Sequence, residues 1–238
     1  MCGIAGFVNF AGHDRKAALA KIRRMTDVLV HRGPDAEGFF ADNYSALGHR
    51  RLAIIDIDTG QQPMSDLGGQ LQISFNGEIY NFQQLKIELE AAGHRFHTKS
   101  DTEVILKAYI EWGEQCVERL NGMFAFAIWD ARHKRLLLAR DRVGKKPLYY
   151  QRLGDTVVFA SELKALTAHG LHPAEVDPES LDCYLTMGYI PAPRTIYSGV
   201  KKLLPAHILV IAESGNVERQ YWDLDFSNPG VIPLDQAV

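Results

Sequence analysis

Cysteine, long apolar runs and net charge are all scarce in this chain of 238 residues. The three cysteines, Cys2, Cys116 and Cys183, lie far apart and form no CxxC pair. That spacing excludes a disulfide framework and points to a reducing compartment. No apolar run approaches ~18 residues, so no membrane span is expected. The N-terminus lacks the basic and apolar regions of a secretory signal. A cytoplasmic location follows as the expectation. A formal net charge of −3 offers no basic field, so neither nucleic acid nor a membrane is expected as a partner. The basic cluster ARHKR (131–135) reads as a solvated hairpin turn, and a second one, RDRVGKK, covers 140–146. The nine histidines show no metal-ligand or triad-like spacing, and no GxxxxGK[ST] loop occurs. No metal and no other cofactor is expected in this chain.

What is present alternates between strand and helix patterns. IAGFV (4–8) reads as a buried strand, and Leu19, Ile22, Met25 and Leu29 recur at helical spacing over 16–30. GFFAD, SALGHRRLAIID and LQISFNG follow as strands, with a turn-rich loop over 59–70. A helix is predicted for NFQQLKIELEAAG, ended by Gly93. Ser100-Asp101-Thr102-Glu103 fits a capping box at the head of the next helix. MFAFAIWD (123–130) is nearly all apolar, as a strand covered on both faces would be. A hairpin-rich stretch, the short helix ELKALTA, a helix over 179–187 capped by Asp177-Pro178, and strands near HILVIA and ERQYWDL complete the chain. This order predicts an α+β layered sandwich. Periodicity leaves the number of layers open.

Three features carry chemistry. Cys2 is either a small buried hydrophobe or, if Met1 is removed, an N-terminal nucleophile. In the second case its own α-amine (pKa ~7.7–8.0) can serve as base for a thiol of pKa ~8.5. FNGE (75–78) is either a hairpin turn or an oxyanion hole, in which the Asn76 NH₂ and the Gly77 N–H converge on one oxygen. Arg51 and Asp101 are either ordinary surface and capping charges, or the cation and anion that a free amino acid requires.

Together these residues resemble a known family. MCGIAG, HRGPD, GHRRLAIID, GQQPM, FNGEIYNF, SDTEVIL, GMFAFAIWD, RDRVGKKPLYY and SELKAL stand in the order found in the glutaminase domain of glutamine-dependent asparagine synthetases. These are class II glutamine amidotransferases of the N-terminal-nucleophile hydrolase superfamily. The resemblance implies a four-layer αββα sandwich and an L-glutamine substrate. It implies Cys2 as nucleophile, Asn76 and Gly77 as oxyanion hole, and Arg51 on the α-carboxylate. Glu78 and Asp101 would hold the amino-acid end, Asp101 on the α-ammonium. Leu52, Ile54 and Ile55 would line the site, and His31 with the rest of HRGPD would shape a wall beside the nucleophile.

The resemblance further implies an amidotransferase domain over 1–224. Residues 225–238 would be a linker toward a C-terminally fused synthetase domain, where ATP and Mg would act. The SGGxDS loop of such a domain does not occur in these residues. A homodimer is compatible with the family. The expected function is hydrolysis of L-glutamine to L-glutamate and ammonia, for asparagine synthesis or a related ATP-dependent amidation. Two alternatives stay open: an amidase of the same fold acting on another amide, and a non-catalytic glutamine-sensing or docking module.

Overall fold

The apolar stretch at 122–130 forms a strand buried on both sides, and the layers are built around it. Phe124, Phe126 and Ile128 pack with helices on one face, while Ala125, Ala127 and Trp129 pack against a second sheet on the other. The computed structural model describes residues 1–227 apart from Ile55, Ile57, His172 and Pro173. From residue 228 onward, the linker expected over 225–238 lies outside the described residues.

The chain begins with β1 (Gly3–Asn9), α1 (Arg15–Asp27), β2 (Ala36–Ala41), β3 (Ser45–Arg51), β4 (Met64–Ser65) and β5 (Leu71–Ile79). It continues through α2 (Phe82–Ala91), α3 (Asp101–Trp112), α4 (Cys116–Arg119), β6 (Gly122–Asp130), β7 (Arg135–Arg140), β8 (Tyr149–Leu153) and β9 (Thr156–Ala160). The last elements are α5 (Leu163–His169), α6 (Pro178–Met187), β10 (Lys201–Lys202), β11 (His207–Ala212) and β12 (Gly215–Gln220). Two antiparallel sheets result, ordered β10-β8-β9-β1-β3-β2 and β12-β11-β7-β6-β5-β4.

Three apolar clusters separate four layers. Ile22 and Met25 of α1 and Leu166 of α5 cover the outer face of the first sheet. Ile4, Leu47, Trp129 and Leu138 fill the space between the sheets. Leu85 of α2 and Ile105 of α3 cover the outer face of the second sheet, with Phe126 beneath them. The α+β, four-layer αββα arrangement is therefore the one found. Among the described residues no helix is long and apolar enough to cross a membrane.

Several local expectations change. The strand expected over SALGHRRLAIID ends early, at Arg51, because the chain turns away from the sheet at Leu52. The Asn-Gly pair at 76–77 makes no turn: β5 runs through it to Ile79, paired throughout with β6. Ser100 caps α3, but its hydroxyl accepts the Thr102 N–H (3.2 Å). Glu103 does not close a capping box. Its carboxylate reaches back to the N–H groups of His97 (3.0 Å) and Thr98 (2.7 Å). Asp177 precedes α6 as expected, yet its carboxylate takes the Ser180 hydroxyl and Arg194 instead of a main-chain N–H. The final strand is Gly215–Gln220 and stops short of Trp222.

Candidate active site

Cys2 lies immediately before β1. The register of β1 on β3 sets Gly3 opposite Arg50, and the same pairing carried one residue outward puts Cys2 beside Arg51. There the chain folds over the sulfur. The Leu52 N–H donates to Cys2 Sγ (3.4 Å), and the thiol donates to the Leu52 carbonyl (3.6 Å). Arg32 Nε donates to the Cys2 carbonyl (2.9 Å) and Arg32 Nη1 to Glu162 Oε1 (3.0 Å), which anchors the start of β1. Burial pushes the Cys2 thiol up, while the Leu52 N–H, the N-terminal ammonium of Met1 and Arg51 pull it down. The net shift is upward, so with Met1 in place the sulfur is held as a thiol at neutral pH.

The second half of the site is the edge of β5. β4 pairs only with Gln72 and Ile73. Beyond Ile73, no described strand lies along that edge. Main-chain groups alternate in direction along a strand, so Phe75, Gly77 and Ile79 all aim their N–H toward the open edge. Side chains take the outer two: Phe75 N–H donates to Gln62 Oε1 (2.6 Å) and Ile79 N–H to Asp101 Oδ2 (3.0 Å). The Gly77 N–H falls between them. Only glycine fits there, because a Cβ would lie 2.2 Å from the Met123 carbonyl oxygen. Asn76 shares a face of β5 with Ser74, whose hydroxyl donates across the sheets to the Gly48 carbonyl (3.2 Å). Asn76 is buried, and its Nδ2 has no hydrogen-bond partner among the described residues. A buried amide donor left unpaired is costly, and this one lines the same pocket as Cys2.

Burial drives the His49 imidazole down to about 4, so it is neutral near pH 7. Its Nε2 meets the Phe75 carbonyl at 3.0 Å. A carbonyl only accepts, so the proton sits on Nε2.

The pocket encloses about 120 Å³ and brings Cys2, Arg51, Asn76, Glu78 and Asp101 to one space. Arg51 is buried, and its Nη2 donates to the Asp56 carbonyl. Asp101 opens α3 and is buried too. Burial pushes its carboxyl up, against the pull of the Ile79 and Thr102 N–H groups. Burial also raises Glu78, and the nearby Asp101 adds to the shift. Lys146 faces the same pocket, its ammonium pushed down by burial and by Arg32. The pocket thus gathers cationic and acidic side chains in a space that water only partly screens, next to a thiol and an unsatisfied donor.

Of the residues singled out in the sequence, Cys2, Arg51, Leu52, Ile54, Asn76, Gly77, Glu78 and Asp101 all line this pocket. Ile55 lies outside the described residues. His31 does not join them: its ring turns outward to Glu162 Oε1 (2.9 Å). The HRGPD segment reaches the Cys2 main chain through Arg32 instead. Sequence reasoning gave no role to Gln62, Met123 or Lys146, which also line the pocket. Gln62 stands in GQQPM, Met123 in GMFAFAIWD and Lys146 in RDRVGKKPLYY, blocks that carry the family likeness but do not show which groups each residue meets.

A family model described as "Glutamine amidotransferase domain" matches residues 1–222. The chain belongs to that family. This amidotransferase domain is 43% identical over 232 residues to asparagine synthetase [glutamine-hydrolyzing] 3 of Bacillus subtilis (strain 168), a match covering 94% of this chain and 37% of that protein. It is 35% identical over 238 residues to amidase chry2 of Gibberella zeae, covering 95% of this chain and 35% of the relative. The domain therefore spans little more than a third of the length of these curated relatives. Among solved structures it resembles glutamine phosphoribosylpyrophosphate amidotransferase from B. subtilis, with a TM-score of 0.68 and 24% identity over 93% of this chain and 49% of the other. That likeness agrees with the N-terminal-nucleophile hydrolase fold.

Proposed function

We propose that this domain hydrolyses L-glutamine to L-glutamate and ammonia through a γ-glutamyl thioester on Cys2. One observation carries the reading: Asn76 Nδ2, without a partner among the described residues, and the Cys2 sulfur face one pocket that the buried Arg51 and Asp101 also line. Removal of Met1 gives Cys2 its own α-amine, which takes the thiol proton. The thiolate attacks the side-chain amide carbon, and the new oxyanion is held by Asn76 Nδ2 and the Gly77 N–H. The Cys2 ammonium then protonates the leaving nitrogen, the C–N bond breaks and ammonia departs. A water deprotonated by the same amine cleaves the thioester and frees glutamate. Arg51 holds the substrate α-carboxylate. Asp101, backed by Glu78, holds the α-ammonium.

The likeness to the Bacillus asparagine synthetase supports a destination for the ammonia: an ATP-dependent amidation, asparagine formation foremost, run by a synthetase region fused to this domain. ATP and Mg belong to that region. The name of the Gibberella relative favours a second reading, an amidase for a different amide. Arg51 and Asp101 in one pocket weigh against it, because a cation and an anion together suit a free amino acid.

The deciding experiment is single-turnover glutamine hydrolysis with the N-terminus checked by mass spectrometry. The Met1-free enzyme should form a γ-glutamyl adduct and glutamate, and Cys2→Ala should form neither. Glutamate release by Cys2→Ala would remove the nucleophile. Arg51→Ala with an unchanged KM for glutamine would favour the other amide.

A further inference from the structure

The GQQPM block has no part in the chemistry above, yet its second glutamine lies inside the site. Gln62 is 9% exposed and lines the pocket. Its Oε1 accepts the Phe75 N–H (2.6 Å), one residue before Asn76. Its Nε2 donates to Thr102 Oγ1 (3.2 Å), one residue after Asp101. A single amide therefore spans from the oxyanion strand to the head of the helix that carries the ammonium-binding carboxylate. We propose that Gln62 is a positioning residue for the oxyanion hole, its bridging amide fixing the height of β5 at Asn76 and Gly77 against the Asp101 end of the pocket.

The main chain supports this placement. The Gln62 carbonyl presses on β2 so closely that a Cβ at Gly38 would lie 1.9 Å from its oxygen. Gln62 is thus seated on the edge strand of the first sheet while its side chain reaches the open edge of the second. At Phe75 both main-chain groups are claimed by side chains, the N–H by Gln62 and the carbonyl by His49 Nε2 (3.0 Å). The His49 bond, with Ser74 to Gly48 (3.2 Å), ties β5 across the sheets to β3, which carries Arg51, and the Gln62 bond ties it to the segment seated on β2. Both ends of the Gln62 amide are engaged within the protein. It acts through Asn76 and Gly77 and does not touch the substrate.

The inference deepens the glutamine reading and rests on it. The test compares the Met1-free parent with Gln62→Met, which keeps length but loses both bonds, and Gln62→Glu, which keeps an acceptor for the Phe75 N–H. Two probes are titrated beside glutamine turnover: L-glutamate, and its γ-aldehyde analogue, which forms a tetrahedral adduct with the Cys2 sulfur. A displaced oxyanion hole should lower kcat of Gln62→Met by roughly 100-fold. Aldehyde affinity should fall with it, while L-glutamate affinity changes by less than about threefold. Gln62→Glu should recover most of kcat. A fall in kcat of under about tenfold, equal losses for the two probes, or a Gln62→Glu as impaired as Gln62→Met each overturns the assignment. If Gln62→Met does not fold, Gln62→Leu, which also loses both bonds, is read by the same criteria. A parent that releases no glutamate would sink the glutamine reading itself, whereas an active parent with an unimpaired Gln62→Met sinks only the role of Gln62.

Discussion

Asn76 is the residue whose environment is least explained by folding alone. Its Nδ2 is buried and has no partner among the described residues, which leaves it free to bond an arriving oxygen. Asn76→Ala should therefore lower kcat by roughly 10²–10³ with little change in KM, as removal of one oxyanion donor does. Steady-state glutamate release reads both constants. Asp101 makes the opposite trade. Burial raises its carboxyl, so the folded state binds that proton more tightly than the unfolded chain. Stability is lost as pH climbs from the usual Asp value through the raised one. Asp101→Asn removes that cost and keeps an acceptor for the Ile79 N–H. Its thermal midpoint at pH 7 should rise, while KM for glutamine rises by about tenfold or more, because a charged hydrogen bond is worth ~1.5–3 kcal/mol. A midpoint that falls in differential scanning calorimetry, or a KM for glutamine that stays as it was, would overturn this account. At this scale the sequence was informative where one residue type fits one task, as with Cys2, Arg51 and Gly77. It was silent on Gln62 and Lys146. A glutamine or lysine in a loop carries no marker of what it meets, and Gln62 meets Phe75 and Thr102, distant in sequence from it and from each other.

Among elements, β5 is the most consequential. Asn-Gly ordinarily favours a two-residue hairpin, and local preference alone would bend the chain at 76–77. Nine residues of antiparallel pairing with β6 override it. Gly77 remains necessary for a different reason, the approach of the β6 backbone: an added Cβ would lie 2.7 Å from Phe124 Cα. Gly77→Ala should therefore force β5 and β6 apart. Overpacking of this kind costs ~1–3 kcal/mol or more, measurable as a lower urea midpoint, with activity lost in the same variant. Strand and helix identities were legible because hydrophobic period is set locally. Ends were less so. Glu103 stands at the capping-box spacing yet bonds His97 and Thr98, and the Ser100 N–H donates to Thr98 Oγ1 instead. β3 stops at Arg51 although apolar residues continue, because the Leu52 main chain is needed over the sulfur.

Over the whole molecule, the layering was readable from the all-apolar β6, but the count of layers came from the family likeness and then from the three clusters. One liability runs outside the site. His169 ends α5 with 2% exposure, edge-on to Phe7 with ring centroids 4.8 Å apart, and neither ring nitrogen has a partner among the described residues. Burial, then Lys21 and Arg24, lowers it to about 3. The unfolded chain takes up this proton near pH 6.5 and the folded one does not, so stability falls as pH drops from 6.5 toward 3. The loss by pH 5 is about 2 kcal/mol. His169→Leu should flatten the urea midpoint between pH 6.5 and 5 relative to the parent, leaving glutamine turnover at pH 7 as it was. An unchanged slope would place the acid sensitivity elsewhere, His49 being the other buried imidazole driven down by its surroundings. The bare margin of β5 has a last consequence. An unoccupied sheet border invites another polypeptide to add on as an extra strand and seed aggregates. Here the side chains of Gln62 and Asp101 occupy that border, so the groups that arm the pocket also guard the molecule against sticking to its neighbours.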